Sequence, residues 1–211
     1  MKKLAKMFAV VAAMMIACSF VSCSSDDDDD DDVSGNEAIA KEFFGSEKAS
    51  SVWVCEDEYT RDIEDDDGNV VTEDAKCVDT QTLTIYEESK KFSLYIREVE
   101  NGKLVDEFMS ALGTYTVSED GNTYNFVITK VPRGYILSDE DYAAAEKKYA
   151  NDEKGLYKYF SELVDVPESK KDYNSKKDYN KESTIGNDGK MTVHGLYRHE
   201  NNKEELVFTK Q

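Results

Sequence analysis

Apolar and polar residues alternate along most of the chain from residue 50 onward. Leu83 and Ile85 alternate with threonines, and Phe92, Leu94 and Ile96 alternate with polar neighbours. A period of two places one apolar row on one face of a strand, as in an antiparallel sheet with one face in water. The pattern predicts about eight strands, at 50–61, 70–73, 79–87, 91–99, 104–118, 123–131, 190–198 and 204–210.

Pairs of residues suited to tight turns separate these segments. Aspartate or asparagine followed by glycine tolerates the positive φ that such turns require. The pairs are Asp67-Gly68, Asn101-Gly102, Asp120-Gly121 and Asp188-Gly189. They predict an up-and-down antiparallel meander. Because 104–118 is long for one strand, a bend or bulge is also predicted near Ala111-Leu112-Gly113.

A helical period replaces the alternation between Ser138 and about Val166. Ser138 with Asp141 three residues later resembles a capping box, and three alanines at 143–145 favour a helix. Gly155 is predicted to separate two helices. A short helix around 37–44 is also predicted, ahead of the first strand. An apolar face of helical spacing is formed by Leu156, Tyr159, Phe160, Leu163 and Val164.

A tandem repeat of six residues follows, from Lys170 to Lys181. Its polar composition cannot build a core, so it is predicted to be an exposed, solvated loop. It is also locally basic and carries tyrosines within an acidic chain, so contact with an anionic glycan or with the protein's own acidic surface is the alternative.

Residues 1–22 are organised as an export signal. They begin with Lys2, Lys3 and Lys6, continue through an apolar stretch too short to span a bilayer, and end beside Cys23. This arrangement resembles the signal of bacterial lipoproteins, which implies that Cys23 is acylated and becomes the first residue of the mature chain. Cys18 is the alternative acylation site. A plain secretory signal with an incidental cysteine is the other interpretation.

Charge separates the chain into three parts. The net charge of −19 includes +3 from residues 1–22 and −7 from Asp26–Asp32, which leaves −15 on the rest. The aspartate run predicts a disordered tether over 23–36, since adjacent like charges repel and stay solvated. It resembles the acidic export signals of surface lipoproteins of Bacteroidota, which implies a lipid anchor in the bacterial outer membrane, facing the cell surface. The acidity excludes nucleic acid as a partner.

The remaining part, 37–211, is predicted to be one mainly β domain with a helical and loop insert at 134–187. Trp53 at the start of strand one and the segment 113–124 (GTYTVSEDGNTY) resemble the lipocalin and calycin group. The resemblance implies a lipocalin-like barrel of about eight strands with an apolar interior, in which Trp53 plugs the closed end. Ser51 stands where that group usually has glycine.

The alternation predicts which side chains form the barrel lining or core. They are Trp53, Leu83, Ile85, Phe92, Leu94, Ile96, Tyr115, Val117, Tyr124, Phe126, Ile128, Met191, Val193, Leu206 and Phe208.

Besides Cys23, two cysteines remain after the signal, Cys55 and Cys77. An exported location favours oxidation, so a disulfide between Cys55 and Cys77 is predicted, with two buried thiols as the alternative. No metal site or cofactor is predicted. His194 and His199 lack zinc-ligand spacing, and the acidic stretch 62–67 does not fit a calcium-loop template.

The sequence favours binding over catalysis, because nucleophile-elbow, phosphate-loop, dinucleotide and zinc-protease motifs are absent from it. The leading hypothesis is a lipid-anchored, non-enzymatic protein holding a small apolar ligand in its barrel. The alternative is an acidic interaction or inhibitor protein that captures cationic proteins or peptides. A hydrolase of surface glycans remains as a third hypothesis.

Overall fold

The computed structural model describes residues 35–64, 70–167, 180–194 and 205–211. The predicted signal, Cys23, residues 24–34 of the tether, the tip of the first hairpin, His199 and most of the Lys170–Lys181 repeat lie outside these ranges. The predictions made for those segments therefore stay predictions.

Eight antiparallel strands form a closed barrel in meander order, which confirms the predicted fold class and is compatible with a lipocalin-like fold. Each strand pairs with the next along the chain, except that a ninth strand, β6, intervenes between β5 and β7. Pairing of Trp53 with Lys210 and of Val54 with Thr209 joins β1 to β9 and closes the barrel. The strands are β1 (Ser51–Glu64), β2 (Val70–Tyr86), β3 (Lys91–Glu100), β4 (Lys103–Val117), β5 (Thr123–Pro132), β6 (Leu163–Asp165), β7 (Asn180–Ile185), β8 (Met191–His194) and β9 (Glu205–Lys210).

Two of the predicted strand assignments were wrong. One divided a single strand into two and the other missed a strand, so the predicted number of barrel strands was still eight. The segments 70–73 and 79–87 are one continuous strand, β2, in which Ala75 and Cys77 continue the buried row. β7 was assigned to the insert, because its sequence has a single apolar residue, Ile185. Pairing with β5 and β8 holds β7 in the barrel wall.

The two ends of the barrel differ in their connections. The turns β2–β3, β4–β5 and β7–β8 share one end, which we call the base. The opposite end, the top, carries the β3–β4 turn and the long connection from β5 to β7. β1 to β4 have between 10 and 17 residues, whereas β7 to β9 have between 4 and 6. The β1–β4 side is therefore the longer wall.

Helices occur before β1 and within the insert. α1 (Gly35–Phe44) packs beside the base, where the Phe44 ring stacks on Tyr86 at 3.9 Å. A short 3₁₀ turn (Arg133–Tyr135), α2 (Asp139–Lys148) and α3 (Glu153–Ser161) follow β5. Within the described ranges, none of the helices combines the length and the apolar character needed to cross a bilayer.

Capping side chains set the helix boundaries of the insert. The Ser138 hydroxyl accepts the backbone N–H of Asp141 at 3.1 Å, as predicted. The break before α3 precedes Gly155, because the Asp152 carboxylate accepts the Gly155 N–H at 2.8 Å and starts the helix there. Leu163 is not helical but belongs to β6, which pairs with the end of β5.

The insert has a small core of its own. Tyr142, Ala145 and Phe160 are buried together, and the rings of Tyr142 and Phe160 stack at 4.4 Å. This cluster is separate from the barrel core. The α2–α3 unit, which we call the cap, thus has a small core of its own, and its Phe160 also lies beside Gly134 of the 3₁₀ turn.

Apolar side chains fill the barrel toward the base. Thirteen of the fifteen nominated side chains are buried, Tyr124 is half-buried against the core, and Val117 is 36% exposed. The prediction for Val117 was wrong because β4 ends there, beside the turn. Several core side chains expose none of their surface. A void large enough to hold water beside them would leave part of that surface exposed. The base half is thus filled by Leu83, Phe92, Leu94, Phe126, Met191, Val193 and Phe208.

β4 is irregular where the sequence predicted a bend or bulge, although it remains one strand. Its pairing with β5 shifts register between Leu112 and Gly113, and its pairing with β3 shifts beside Ala111. A β-carbon at position 113 would overlap the Val127 carbonyl oxygen and the Phe92 ring. Glycine at this position lets a buried aromatic ring lie directly on the backbone.

Replacing Gly113 by alanine should destabilise the barrel by about 1–3 kcal/mol, since the added methyl forces the Phe92 ring and the β5 backbone apart. Urea denaturation of Gly113→Ala measures this loss. Thr116→Ala, on the exposed face of the same strand, is the control and should cost less than about 1 kcal/mol. Equal stability of Gly113→Ala and the wild-type protein would contradict the packing described.

Candidate functional site

Strand register places four acidic residues in one row across β1–β4. Asp57 pairs with Asp79, Asp79 with Glu98, and Glu98 with Asp106. Directly paired residues project from the same face of a sheet. These four acids alternate with outward-facing positions, so they form one layer of the barrel interior, which we call the acidic layer.

The acidic layer is buried. Asp57, Asp79 and Asp106 are only 6%, 1% and 8% exposed, and Glu98 is half-buried. Carboxylates rarely occupy such positions unless they are paired, protonated or engaged by a ligand.

The layers on either side differ in polarity. Toward the base, the next paired row is Cys55, Gln81, Ile96 and Phe108. Toward the top, the next row is Tyr59, Cys77, Glu100 and Lys103. The acidic layer is therefore the boundary between a filled apolar half and a polar half of the barrel.

Asp106 connects the acidic layer to the cap. Its Oδ1 accepts a hydrogen bond from the Tyr157 hydroxyl of α3 at 3.0 Å and another from the Glu107 backbone N–H at 2.8 Å. Its Oδ2 is buried and meets no hydrogen-bond donor among the residues that the structure describes. One oxygen of this carboxylate is thus satisfied by the protein and the other is not.

Burial raises the pKa of Asp106 to about 7, against an ordinary value of 3.8. The Tyr157 hydrogen bond acts in the opposite direction, and the negative charge of Glu98 adds to the increase. Burial, followed by the charge of Asp106, likewise raises the pKa of Tyr157, so its hydroxyl remains a donor. The Asp106–Tyr157 contact therefore depends on the charge state of Asp106 near neutral pH.

Gln81 adds a neutral polar group directly below the acidic layer. It is 2% exposed, and its Oε1 atom has no hydrogen-bond donor in the part of the chain that the structure describes. Since Gln81 is two residues from Asp79 on the same strand face, this acceptor lies beside the acidic layer.

Tyr59 lies in the row above, and Arg61 lies one row higher, where it pairs with Ala75. The Tyr59 hydroxyl donates to Asp79 Oδ1 at 3.3 Å, and burial raises the pKa of Tyr59. Arg61 forms an ion pair with Glu100. The charge of Arg61 is thus directed to Glu100, one layer above Asp106.

The predicted disulfide between Cys55 and Cys77 is not formed, and both residues are reduced, buried thiols. The register explains this, because Cys55 pairs with Gln81 and Cys77 pairs with Tyr59. An offset of four residues separates the two cysteines by about 13 Å along the sheet, whereas a disulfide needs Cα atoms within about 7 Å. Burial also raises the pKa of the Cys77 thiol.

The other nominated groups lie outside the acidic layer. Trp53 is 5% exposed in the filled half, and its indole N–H donates to Ser51 Oγ at 3.2 Å. His194 ends β8. Among the described residues, no group of three or more histidine, cysteine or acidic side chains is arranged to hold a metal ion.

Sequence reasoning missed the acidic layer, although a signal for it was present. In β1, β2, β3 and β4, an acid occupies the same parity as the apolar row, toward the top of the barrel. Glu98 follows Ile96 by two residues, for example, and Asp106 precedes Phe108 by two. The chain has so many acidic residues that this pattern does not stand out in the sequence. Only the strand register shows that the four acids lie in the same row.

Comparison with known proteins gives no further assignment. No family model matches the chain, and no curated protein or solved structure is significantly similar to it. The resemblance to lipocalins is thus one of strand number and order.

Replacing Asp106 by asparagine should remove part of the pH dependence of folding. The native protein holds a proton on Asp106 up to about pH 7. In the unfolded chain that proton is lost near pH 4, so this group's contribution to stability falls as pH rises from about 4 to 7. Asp106→Asn should therefore be about 2–4 kcal/mol more stable than the wild-type protein at pH 8, with much less difference at pH 4.5.

Denaturant unfolding at a series of pH values measures this effect. Glu119→Gln changes the same charge at an exposed turn and should follow the wild-type curve. A constant difference between Asp106→Asn and the wild-type protein at every pH would show that Asp106 titrates normally.

Proposed function

We propose that this protein is a lipid-anchored, non-enzymatic binding protein of a bacterial envelope, whose ligand occupies the acidic layer of the barrel. The observation that carries the proposal is the division of the barrel interior into a filled half and a buried acidic layer that the cap contacts through Tyr157.

The distribution of burial supports a ligand at the acidic layer rather than deeper in the barrel. Seven core side chains of the base half, Leu83 and Phe92 among them, leave no surface exposed, so an apolar ligand there would have to displace them. The acidic layer and the row below it each retain a buried acceptor that meets no donor among the described residues, Asp106 Oδ2 and Gln81 Oε1. This replaces the small apolar ligand of the leading sequence hypothesis with a polar one.

Burial also argues against a hydrolase of surface glycans. Glycosidases place two carboxyl groups on either side of a sugar, in a cleft open to the polymer. Asp106 and Glu98 are neighbouring acids and Asp106 has a raised pKa, but Asp106 is 8% exposed beneath the cap. Such a cleft would have to lie beside Asp106, which exposes only 8% of its surface.

The anchor is proposed from the N-terminal sequence. Acylation of Cys23 would hold the protein on a membrane without a spanning helix, since two or more acyl chains give durable attachment. The aspartate run would then separate the barrel from the lipid surface. Its likeness to surface-export signals supports the outer face of the outer membrane.

Native mass spectrometry tests the binding proposal. Protein purified from its host without denaturation should carry a small molecule at one per chain, and this adduct should be reduced in Asp106→Asn and retained in Glu119→Gln. A wild-type protein of the mass of its acylated chain alone would contradict the proposal.

Cys23→Ser should release the protein from the membrane fraction and abolish its labelling by palmitate, because serine offers no thiol for acylation. Cys18→Ser is the matched control and should leave both unchanged. If Cys18→Ser releases the protein instead, the acylation site is Cys18. Release by neither substitution would exclude a lipid anchor at the signal border.

A further inference from the structure

We propose that the contact between Tyr157 and Asp106 is a pH-sensitive latch between the cap and the barrel. The cap stays closed while Asp106 is protonated, and it opens more often once Asp106 has lost its proton to water. The proposal concerns how the cap is attached to the barrel, so it does not rest on the proposed ligand.

The cap is attached at its root to the 3₁₀ turn that continues β5. The guanidinium carbon of Arg133 lies 4.7 Å from the centre of the Tyr159 ring, and Phe160 lies beside Gly134. Both aromatic side chains belong to α3, and Phe160 is also part of the cap's own core. This attachment keeps the cap in place when other contacts break, as a hinge does.

The latch is a second contact, on the other side of α3. Tyr157 and Tyr159 are two residues apart and therefore point to nearly opposite sides of the helix. The Tyr157 hydroxyl lies 3.0 Å from Asp106 Oδ1, on a part of β4 nearer the top than the segment Leu112–Val117, which pairs with β5. Moving α3 about the hinge would break this hydrogen bond without unpairing a strand.

The hydrogen bonds of Asp106 suit a protonated carboxyl group better than an ionised one. Its Oδ1 accepts from Tyr157 and from the backbone N–H of Glu107, whereas its buried Oδ2 meets no donor among the described residues. A hydroxyl at Oδ2 needs no donor, but a carboxylate oxygen there has lost its hydration without a replacement. Ionisation of Asp106 therefore favours an open cap, in which water reaches the carboxylate.

The charges around Asp106 act in the same direction. Burial, with the charge of Glu98 adding to it, raises the pKa of Asp106 to about 7, and the Tyr157 hydrogen bond offsets only part of this increase. Burial also raises the pKa of Tyr157, so Asp106 is the member of the contact that titrates near neutral pH. The two lysines of α3, Lys154 and Lys158, are exposed. The titratable groups nearest to the contact are acidic or phenolic: Glu98 and Tyr95 of β3, Glu107 of β4 and, further along the acidic layer, Asp79 and Asp57.

The difference in pKa between the two states of the cap sets the size of the effect. The pKa of Asp106 is about 7 in the closed cap and about 4 once the carboxyl group is hydrated. Because the open state releases the proton at the lower pH, opening becomes more favourable as pH rises. The equilibrium constant for opening should increase roughly a hundredfold between pH 5 and pH 8, and it should level off above about pH 7.

Native-state hydrogen exchange followed by mass spectrometry tests the latch between pH 5 and pH 8. After correction for base-catalysed exchange, the amides of α3 should show the hundredfold increase in opening. Their exchange should depend little on low urea concentrations, because a local opening exposes little surface, whereas exchange in β2 and β3 should respond strongly. Equal urea dependence of α3 and these strands at every pH would mean that the cap opens only with global unfolding, which would overturn the proposal.

Two variants test the two members of the latch. Asp106→Asn should abolish the pH dependence of α3 opening and leave the cap at least as well closed as in the wild-type protein at pH 5. Tyr157→Phe should increase opening roughly threefold to tenfold at pH 5, because one hydrogen bond is lost, and should keep the increase with pH.

Glu119→Gln is the control for the change of charge in Asp106→Asn and should follow the wild-type protein. Circular dichroism and thermal unfolding show whether each variant is folded. If α3 opening keeps its pH dependence in a folded Asp106→Asn variant, another group controls the cap and the proposal is wrong.

Discussion

The structure depends on the register of β1 to β4. In an antiparallel sheet, a shift of one residue moves every inward side chain to the outer face. The observed register aligns Trp53, Leu83 and Leu94 in one interior row and Asp57, Asp79 and Glu98 in another. The same pairing therefore builds the apolar core and buries the acids. Stability of the apolar rows determines where the acidic layer lies.

Burial of the acids opposes folding, and the surrounding structure offsets this cost only in part. Protonation relieves the charge on Asp106, and the hydroxyls of Tyr157 and Tyr59 donate to Asp106 and Asp79. A fully apolar barrel of this size would avoid the cost altogether. Buried polar groups that lower the stability of a fold are typical of functional sites. For this reason the acidic layer, and not the aromatic core, is the basis of the proposed function.

Local sequence rules predicted much of the fold and little of the site. Alternation predicted the inward rows of β2 and β3, and Ser138 marked the start of α2, because both signals act within a few residues. β7 was missed since its strand form depends on pairing with β5 and β8 rather than on its own composition. The disulfide prediction failed, and the acidic layer was overlooked, for one reason: each depends on cross-strand register, which a single strand's sequence does not encode.

The most direct test of this account is a measurement of that register by nuclear Overhauser spectroscopy in D₂O. In an antiparallel sheet, each residue of a central strand has one partner on each neighbouring strand. The α-carbons are about 4.5 Å apart in one of these pairs and about 5.5 Å apart in the other. The Hα of Asp79 should therefore show a strong cross-peak to the Hα of either Asp57 or Glu98. A strong cross-peak from Asp79 to Glu56, Glu58, Arg97 or Val99 would show a slipped register and contradict the acidic layer.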